Sequence, residues 1–132
     1  MPNGSTALVP SEGMTNHWTV PCGRHIYMTD VTPQLNLPFD TTIHYATIHV
    51  HPFARGVELR DLTTGQTILK LNSKDWPDRI GVARVEEFKS IEGMPILHNH
   101  RYELTTEYDN TSDSNTDAMA ILYLYLLEKH QA

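Results

Sequence analysis

The sequence has a single cysteine, Cys22, among its 132 residues. One thiol excludes an internal disulfide, and it excludes a cluster of thiolates around a metal ion. A run of about 18 apolar residues is also absent, so no segment is predicted to cross a membrane as a helix. The longest apolar run, from Ala118 to Leu127, is too short for that role.

Basic residues are scarce as well, since 10 Lys and Arg stand against 16 Asp and Glu and give a formal net charge of −6 at pH 7. Nucleic acids and anionic membrane surfaces attract positively charged patches, so neither is an expected partner. The N-terminal residues show no apolar stretch typical of a signal peptide. Composition therefore leaves the compartment open.

Common catalytic and calcium-binding motifs are missing. The chain has no glycine-rich phosphate loop, and Ser112 and Ser114 lie in a polar stretch without the context of a nucleophile elbow. Asp109, Asp113 and Asp117 recur every four residues, but without the glycine and terminal glutamate of a calcium-binding loop. We expect Asp117 instead to accept a hydrogen bond from the N–H of a metal-bound imidazole.

The length and the distribution of strand and turn signals predict one all-β domain. About seven to nine short strands, separated by turn residues at regular spacing and without a convincing helix, are typical of an antiparallel β-sandwich of the jelly-roll kind. Residues 1–16 contain scattered Gly and Pro among small polar residues and are predicted to be a flexible leader. Residues 17–132 are predicted to form the β-sandwich domain.

Several segments carry more specific expectations. The prolines of Val31–Asp40 predict an extended connector, and Val57–Leu71 reads as a β-hairpin. Val82–Ile91 fits a helical turn or a strand. Ile96–Tyr108 alternates cleanly and is predicted to be one strand. Ala118–Leu127 is predicted to be a buried strand, with a helix as the competing interpretation.

The most informative stretch is the strand that ends in His49 and His51. Side chains alternate faces along a strand, so these two imidazoles point the same way, about 6–7 Å apart. Pro52 cannot donate to a β-ladder and should end the strand directly after the second histidine. The pair therefore lies near a strand end, where an ion can reach it, although a His-x-His tripeptide also arises by chance on exposed strands.

Four further side chains are candidates for the same site. His98 and His100 form a second His-x-His, which is predicted to lie on one face of a strand. Met119 follows an acidic loop and is placed to present its thioether, although a methionine at the start of an apolar strand is often core filler. His44 has the wrong parity to share a face with His49 unless a β-bulge intervenes.

Imidazole and thioether ligands together favour copper, because the soft thioether suits Cu(I) and imidazole serves both oxidation states. Zinc is the alternative, and it would be the default for a site of three or four histidines without methionine. A site of two histidines and one methionine keeps a position open for water or substrate. The predicted cofactor is therefore copper, with zinc second.

Two segments resemble a known family. His49–Gly56, HVHPFARG, and Asp109–Glu128, DNTSDSNTDAMAILYLYLLE, are similar to the second half of the copper type II, ascorbate-dependent monooxygenases, which hydroxylate peptidylglycine and dopamine. The resemblance covers roughly residues 40–128. It implies a jelly-roll half-domain, and it implies that His49, His51 and Met119 bind the oxygen-activating copper.

The chain also departs from that family, whose enzymes use two such domains and carry disulfides. A single domain without the partner copper lacks the second source of electrons, so we expect copper handling or sensing rather than coupled hydroxylation. A mononuclear copper oxidase with an external reductant, and an interaction module without metal, remain as alternatives. A redox partner or a homo-oligomer is left open. The resemblance favours a periplasmic or extracellular location.

The fourth ligand of the predicted site is not fixed by the resemblance. His100 is preferred, then His44, then His98. The strand of His100 can run beside the last strand, and the face of His100 also carries Tyr102 and Leu104 toward the interior.

Overall fold

The computed structural model describes residues 4–9 and 17–128, and these form two antiparallel β-sheets that pack face to face. A one-turn helix, α1 (Thr32–Leu35), precedes the strand of the first His-x-His. The strands of the described residues are β1 (Gly4–Leu8), β2 (His17–Val20), β3 (Gly23–Asp30), β4 (Thr41–Val50), β5 (Ala54–Asp61), β6 (Gln66–Asp75), β7 (Val82–Val85), β8 (Glu87–Ile96), β9 (Tyr102–Asn110) and β10 (Thr116–Leu126).

The order of the strands confirms the predicted jelly-roll sandwich. The first sheet has the order β1-β10-β4-β8, and β2 pairs with β10 as well. The second sheet has the order β3-β9-β5-β6-β7. The chain crosses between the sheets at β2 to β3, β3 to β4, β4 to β5, β7 to β8, β8 to β9 and β9 to β10. These crossings wrap the chain around one core, as in other double-sheet jelly rolls.

The core lies between the sheets because each strand alternates buried and outward side chains. On β10 the buried residues are Ala118, Ala120, Leu122, Leu124 and Leu126, and the residues between them point to the outer face of the first sheet. On β9 the buried set begins at Tyr102 and continues through Leu104, Thr106, Tyr108 and Asn110. The outward set of β10 therefore defines the surface on which Met119 lies.

The connection between β3 and β4 differs from its prediction. The predicted extended connector contains α1, whose first turn holds Pro33, a position that tolerates a missing N–H. Asn36 ends the helix in a left-handed conformation, and its N–H bonds to the carbonyl of Thr32.

No helix in the described part of the chain is long and apolar enough to span a bilayer.

The predicted strand Ile96–Tyr108 is wrong in its first half. β8 ends at Ile96, residues 97–101 form a turn, and β9 begins at Tyr102. The N–H of His100 bonds to the carbonyl of Leu97 across this turn at 3.3 Å. The ambiguous segment 82–91 consists of strands, and the second of them, β8, continues through Gly93 and Pro95 to Ile96.

The predicted leader also needs a correction. Residues 4–8 form β1, which pairs with the C-terminal half of β10, and Leu8 on this strand is fully buried. Apolar alternation is too short in this segment to indicate a strand on its own. Residues 1–3 and 10–16 of the predicted leader lie outside the described residues.

Candidate metal site

One end of the first sheet carries, on its outer face, a cluster of side chains of the types that ligate metals. We call this cluster the histidine face, and it consists of His17 on β2, Met119 and Asp117 on β10, and His49 and His51 on β4 and just after it. The three strands are neighbours, with β10 in the middle.

Strand register places these residues in adjacent rows. Met119 is the cross-strand partner of His17, and Ile121 is the partner of His49. On the other side of β10, the N–H of His51 bonds to the carbonyl of Met119 at 3.3 Å. His17, Met119 and His51 therefore form one row across the sheet, with His49 in the next row.

Buried neighbours hold the row in its outward orientation. Ala118 and Ala120, on either side of Met119, are fully buried, so Met119 itself faces outward and is half-buried. Trp18 faces inward and packs against Tyr27, with ring centroids 5.4 Å apart. Because Trp18 points into the sandwich, His17 points out of it.

A tight turn fixes the second histidine of the first pair. The N–H of Ala54 bonds to the carbonyl of His51 at 3.3 Å, with Pro52 and Phe53 between them. Phe53 has a φ of 77°, the value that the third residue of a type II turn requires and that a bulky residue rarely adopts. Its N–H bonds to the carboxylate of Asp75 at 2.9 Å, and its side chain is buried. These contacts hold the strained turn and confirm that the strand ends where Pro52 predicted.

The backbone beneath the site is tied to the opposite sheet by Tyr108. The hydroxyl of this buried β9 residue donates to the carbonyl of Met119 at 2.6 Å. It accepts hydrogen bonds from the N–H groups of Met119 and His51, each at 3.2 Å. Burial raises the pKa of Tyr108 to about 12, which the two backbone donors only partly offset. The hydroxyl therefore stays protonated and anchors the backbone at both His51 and Met119.

The outward side chains converge on His51. Its ring centroid lies 6.0 Å from that of His49 and 5.8 Å from that of His17. The Oδ2 atom of Asp117 lies 3.5 Å from Nδ1 of His51 and 3.7 Å from Nδ1 of His17. The sequence led us to expect an imidazole contact for Asp117, and a contact is present, although it is longer than a hydrogen bond.

These donors fit a metal ion. Imidazole, thioether and carboxylate groups face solvent on one surface, and the donor atoms of His17, His51 and Asp117 all lie within 4.8 Å of one another. Imidazole suits copper and zinc, thioether suits Cu(I), and carboxylate suits harder divalent ions. The side chain of Asp117 is 67% exposed and that of His51 is 26% exposed, so an ion can enter from solvent.

His44 does not join this face. It lies where the pairing of β4 with β8 shifts register, five residues before His49, which is about 16 Å along a strand. Its Nδ1 bonds to the carbonyl of Ser90 at 2.9 Å, and its Nε2 bonds to the hydroxyl of Thr42 at 2.7 Å. With both ring nitrogens hydrogen-bonded, His44 has a structural role here.

His98 and His100, the other proposed fourth ligands, lie at the opposite end of the sandwich. Their turn is held there by two carboxylates, since Nδ1 of His98 is 2.6 Å from Asp40 and Nδ1 of His100 is 2.6 Å from Asp61. Asp61 ends β5, which begins just after His51 and is about 23 Å long at the usual rise per residue. The prediction of His100 as fourth ligand is therefore wrong in this arrangement, because the two histidines lie in a turn and not beside β10.

The additional imidazole of the site is His17, which the sequence analysis missed. Nothing in the sequence of His17–Val20 shows that this segment pairs with the start of β10. Alternation with the inward Trp18 was the one local signal that His17 points outward.

A search among protein families, curated proteins and solved structures finds no match to this chain. The resemblance to the copper monooxygenases therefore stays a prediction that rests on two short segments. The fold and the histidine face stand on the structure alone.

Proposed function

We propose that this protein binds one copper ion on the histidine face, through His49, His51 and Met119, and that it serves in copper handling. The observation that carries the proposal is the strand register. It sets Met119 of β10 beside His51 and one row from His49, on the same outer surface. Residues 68 to 70 positions apart in the chain are thereby brought into adjacent rows of one surface.

The donor types support copper over other metals. A thioether is a soft ligand and binds Cu(I) in preference to zinc, calcium or magnesium. Met119 is half-buried on the surface and not enclosed in the core, so core filling does not account for its position. The overall negative charge also favours the approach of cations over anions.

The position of the site favours handling over hydroxylation. His49 is exposed on the outer face of a sheet, so a bound ion is accessible to another molecule that delivers or removes copper. Coupled hydroxylation requires a second electron source, which the resembled enzymes take from a separate copper domain. The described residues form one sandwich. A copper oxidase that takes electrons from an external reductant is the alternative, and it would consume O₂ with ascorbate.

Copper titrations of the untagged protein test the proposal. Met119→Leu keeps the volume of the side chain and removes the thioether. We expect it to weaken Cu(I) binding by at least about tenfold and to weaken Cu(II) binding less, because only the soft ligand is lost. His49→Ala should weaken both. His98→Ala is the control, since it removes an imidazole at the far end of the sandwich.

Competition with a chromogenic Cu(I) chelator measures these affinities. The proposal fails if the wild type binds no copper, or if His98→Ala weakens binding as much as His49→Ala. Equal loss of Cu(I) and Cu(II) in Met119→Leu would show that the thioether is not a ligand. Steady O₂ consumption with ascorbate would favour the oxidase over copper handling.

A further inference from the structure

The histidine face contains a second set of donors that the copper ligands leave unused. His17 and Asp117 are not part of the His49, His51 and Met119 set, yet their side chains meet at His51. The Oδ2 atom of Asp117 lies between the two Nδ1 atoms, at 3.5 Å from His51 and 3.7 Å from His17.

These distances are too long for hydrogen bonds, which join N–H and oxygen at about 2.7–3.2 Å. They are close to the spacing of two ligands on one zinc ion. With ligands at about 2.0–2.1 Å and tetrahedral angles, donor atoms lie about 3.3 Å apart. A small movement of half-exposed side chains is therefore enough to bring the three donors of His17, His51 and Asp117 onto one ion.

We infer that His17, His51 and Asp117 form a donor set selective for a divalent cation, with zinc as the metal that fits it best. Two imidazoles and one carboxylate are typical zinc ligands, and they leave the fourth tetrahedral position open to water. A carboxylate is a poor ligand for Cu(I), just as a thioether is a poor ligand for zinc. The inference rests on the proposed metal site, because both sets include His51.

The two sets diverge on either side of Met119. His17 approaches from β2 and His49 from β4, while Met119 and Asp117 are successive outward residues of β10. Which metal binds to the histidine face therefore depends on which β10 side chain ligates it, the thioether of Met119 or the carboxylate of Asp117. The same surface then distinguishes Cu(I) from a harder divalent ion.

The test compares zinc and Cu(I) affinities across matched variants of the whole chain. Asp117→Asn and His17→Ala should each weaken zinc binding by at least about 100-fold, since each removes a direct ligand, whereas loss of a residue that only supports a ligand costs 10–100-fold. Both variants should change Cu(I) affinity by less than about threefold. Met119→Leu should show the reverse selectivity.

Two controls match the altered groups. Asp113→Asn removes an exposed carboxylate from the neighbouring loop. His98→Ala removes an imidazole whose side chain is 49% exposed, the same as that of His17. Zinc should also raise the melting temperature of the wild type and not that of Asp117→Asn, because a ligand that binds the folded state stabilises it by mass action.

The outcomes separate this inference from the proposed function. Equal weakening of zinc and Cu(I) in Asp117→Asn would overturn the inference and make Asp117 a support for the His51 ring. Unchanged zinc affinity in Asp117→Asn would overturn it too, because zinc would then bind through other residues. A wild type that binds zinc through Asp117 but binds no Cu(I) would instead refute the copper site.

Discussion

Removal of one hydroxyl group should test how the sandwich supports the proposed metal site. Tyr108→Phe keeps the buried ring and deletes the oxygen that bonds to the backbone of Met119 and His51. The ring itself stays packed against Trp18, with centroids 5.8 Å apart. The change therefore isolates the hydrogen bonds from the packing.

The expected cost follows from the groups left without partners. The carbonyl of Met119 keeps the N–H of His51 as a donor at 3.3 Å, so that pair stays satisfied. The N–H of Met119 loses the hydroxyl oxygen of Tyr108, which accepts its hydrogen bond at 3.2 Å. An unsatisfied buried group costs about 1–3 kcal/mol, so we expect a loss near 2 kcal/mol in the free energy of unfolding. For a chain of this length that corresponds to a melting temperature lower by about 6–10 °C.

Urea unfolding measures this loss, and the slope m should stay unchanged because the folded state buries the same surface. Tyr45→Phe is the matched control. It deletes the same atom from a surface tyrosine whose hydroxyl donates to Glu87 at 2.5 Å, and it should change stability by less than about 0.5 kcal/mol. A cost for Tyr108→Phe no larger than that of the control would refute the account of the anchor.

The raised pKa of Tyr108 adds a second observable. Its folded value is about 12 against 10.0 for an ordinary tyrosine, so its contribution to stability is complete below pH 10 and declines as the pH rises toward 12. About two pKa units correspond to about 3 kcal/mol. We expect wild-type stability to fall more steeply than that of Tyr108→Phe across this range. Parallel pH profiles would contradict a buried, protonated hydroxyl.

Two further predictions concern the far end of the sandwich. Burial alone would raise the pKa of Asp61, but hydrogen bonds from His100, Thr64 and Thr63 outweigh it and hold the pKa below its usual value. The contribution of Asp61 to the free energy of unfolding is therefore complete above the ordinary aspartate pKa and is lost as the pH falls. In urea titrations at several pH values, Asp61→Asn should make stability depend less on pH in the acid range. It should also lower the free energy of unfolding by about 1.5–3 kcal/mol at pH 7. An unchanged pH dependence in the acid range would contradict this. Gly93→Ala should destabilise more than Gly65→Ala in thermal melts. Both glycines have positive φ, but only at Gly93 does an added Cβ meet another residue's side chain, at 2.5 Å. Equal losses of stability in the two variants would mean that the neighbouring side chain moves aside without a cost in free energy.

The sequence predicts the features of this protein that depend on neighbouring residues. The alternation of His49 and His51 is confirmed by their shared outward face, and the end of their strand follows from Pro52. The buried strand near the C-terminus and the jelly-roll sandwich are also confirmed. Each of these rests on a period of two or on the chemistry of proline, both of which act within a few residues.

The failures have a common physical cause. The alternating pattern around His98 and His100 is the same as that of a strand, but distant carboxylates bond to both imidazoles and hold the segment as a turn. His17 reaches the site because β2 pairs with β10, about a hundred residues later in the chain. Neither interaction leaves a local signal, since long-range pairing is set by the whole packing of the two sheets.

The fixed backbone and the exposed side chains of the histidine face fit the two donor sets proposed for it. Tyr108 and the turn at Phe53 fix the main chain at His51 and Met119 from the buried side. The side chains that carry the donor atoms lie on the opposite, solvent-facing side. Ligand positions are therefore restricted to one small area, while the choice among donors is left to rotation of the side chains. A site built in this way selects a metal by the softness of the donors it brings forward, so exchanging Met119 or Asp117 should alter selectivity without altering the fold.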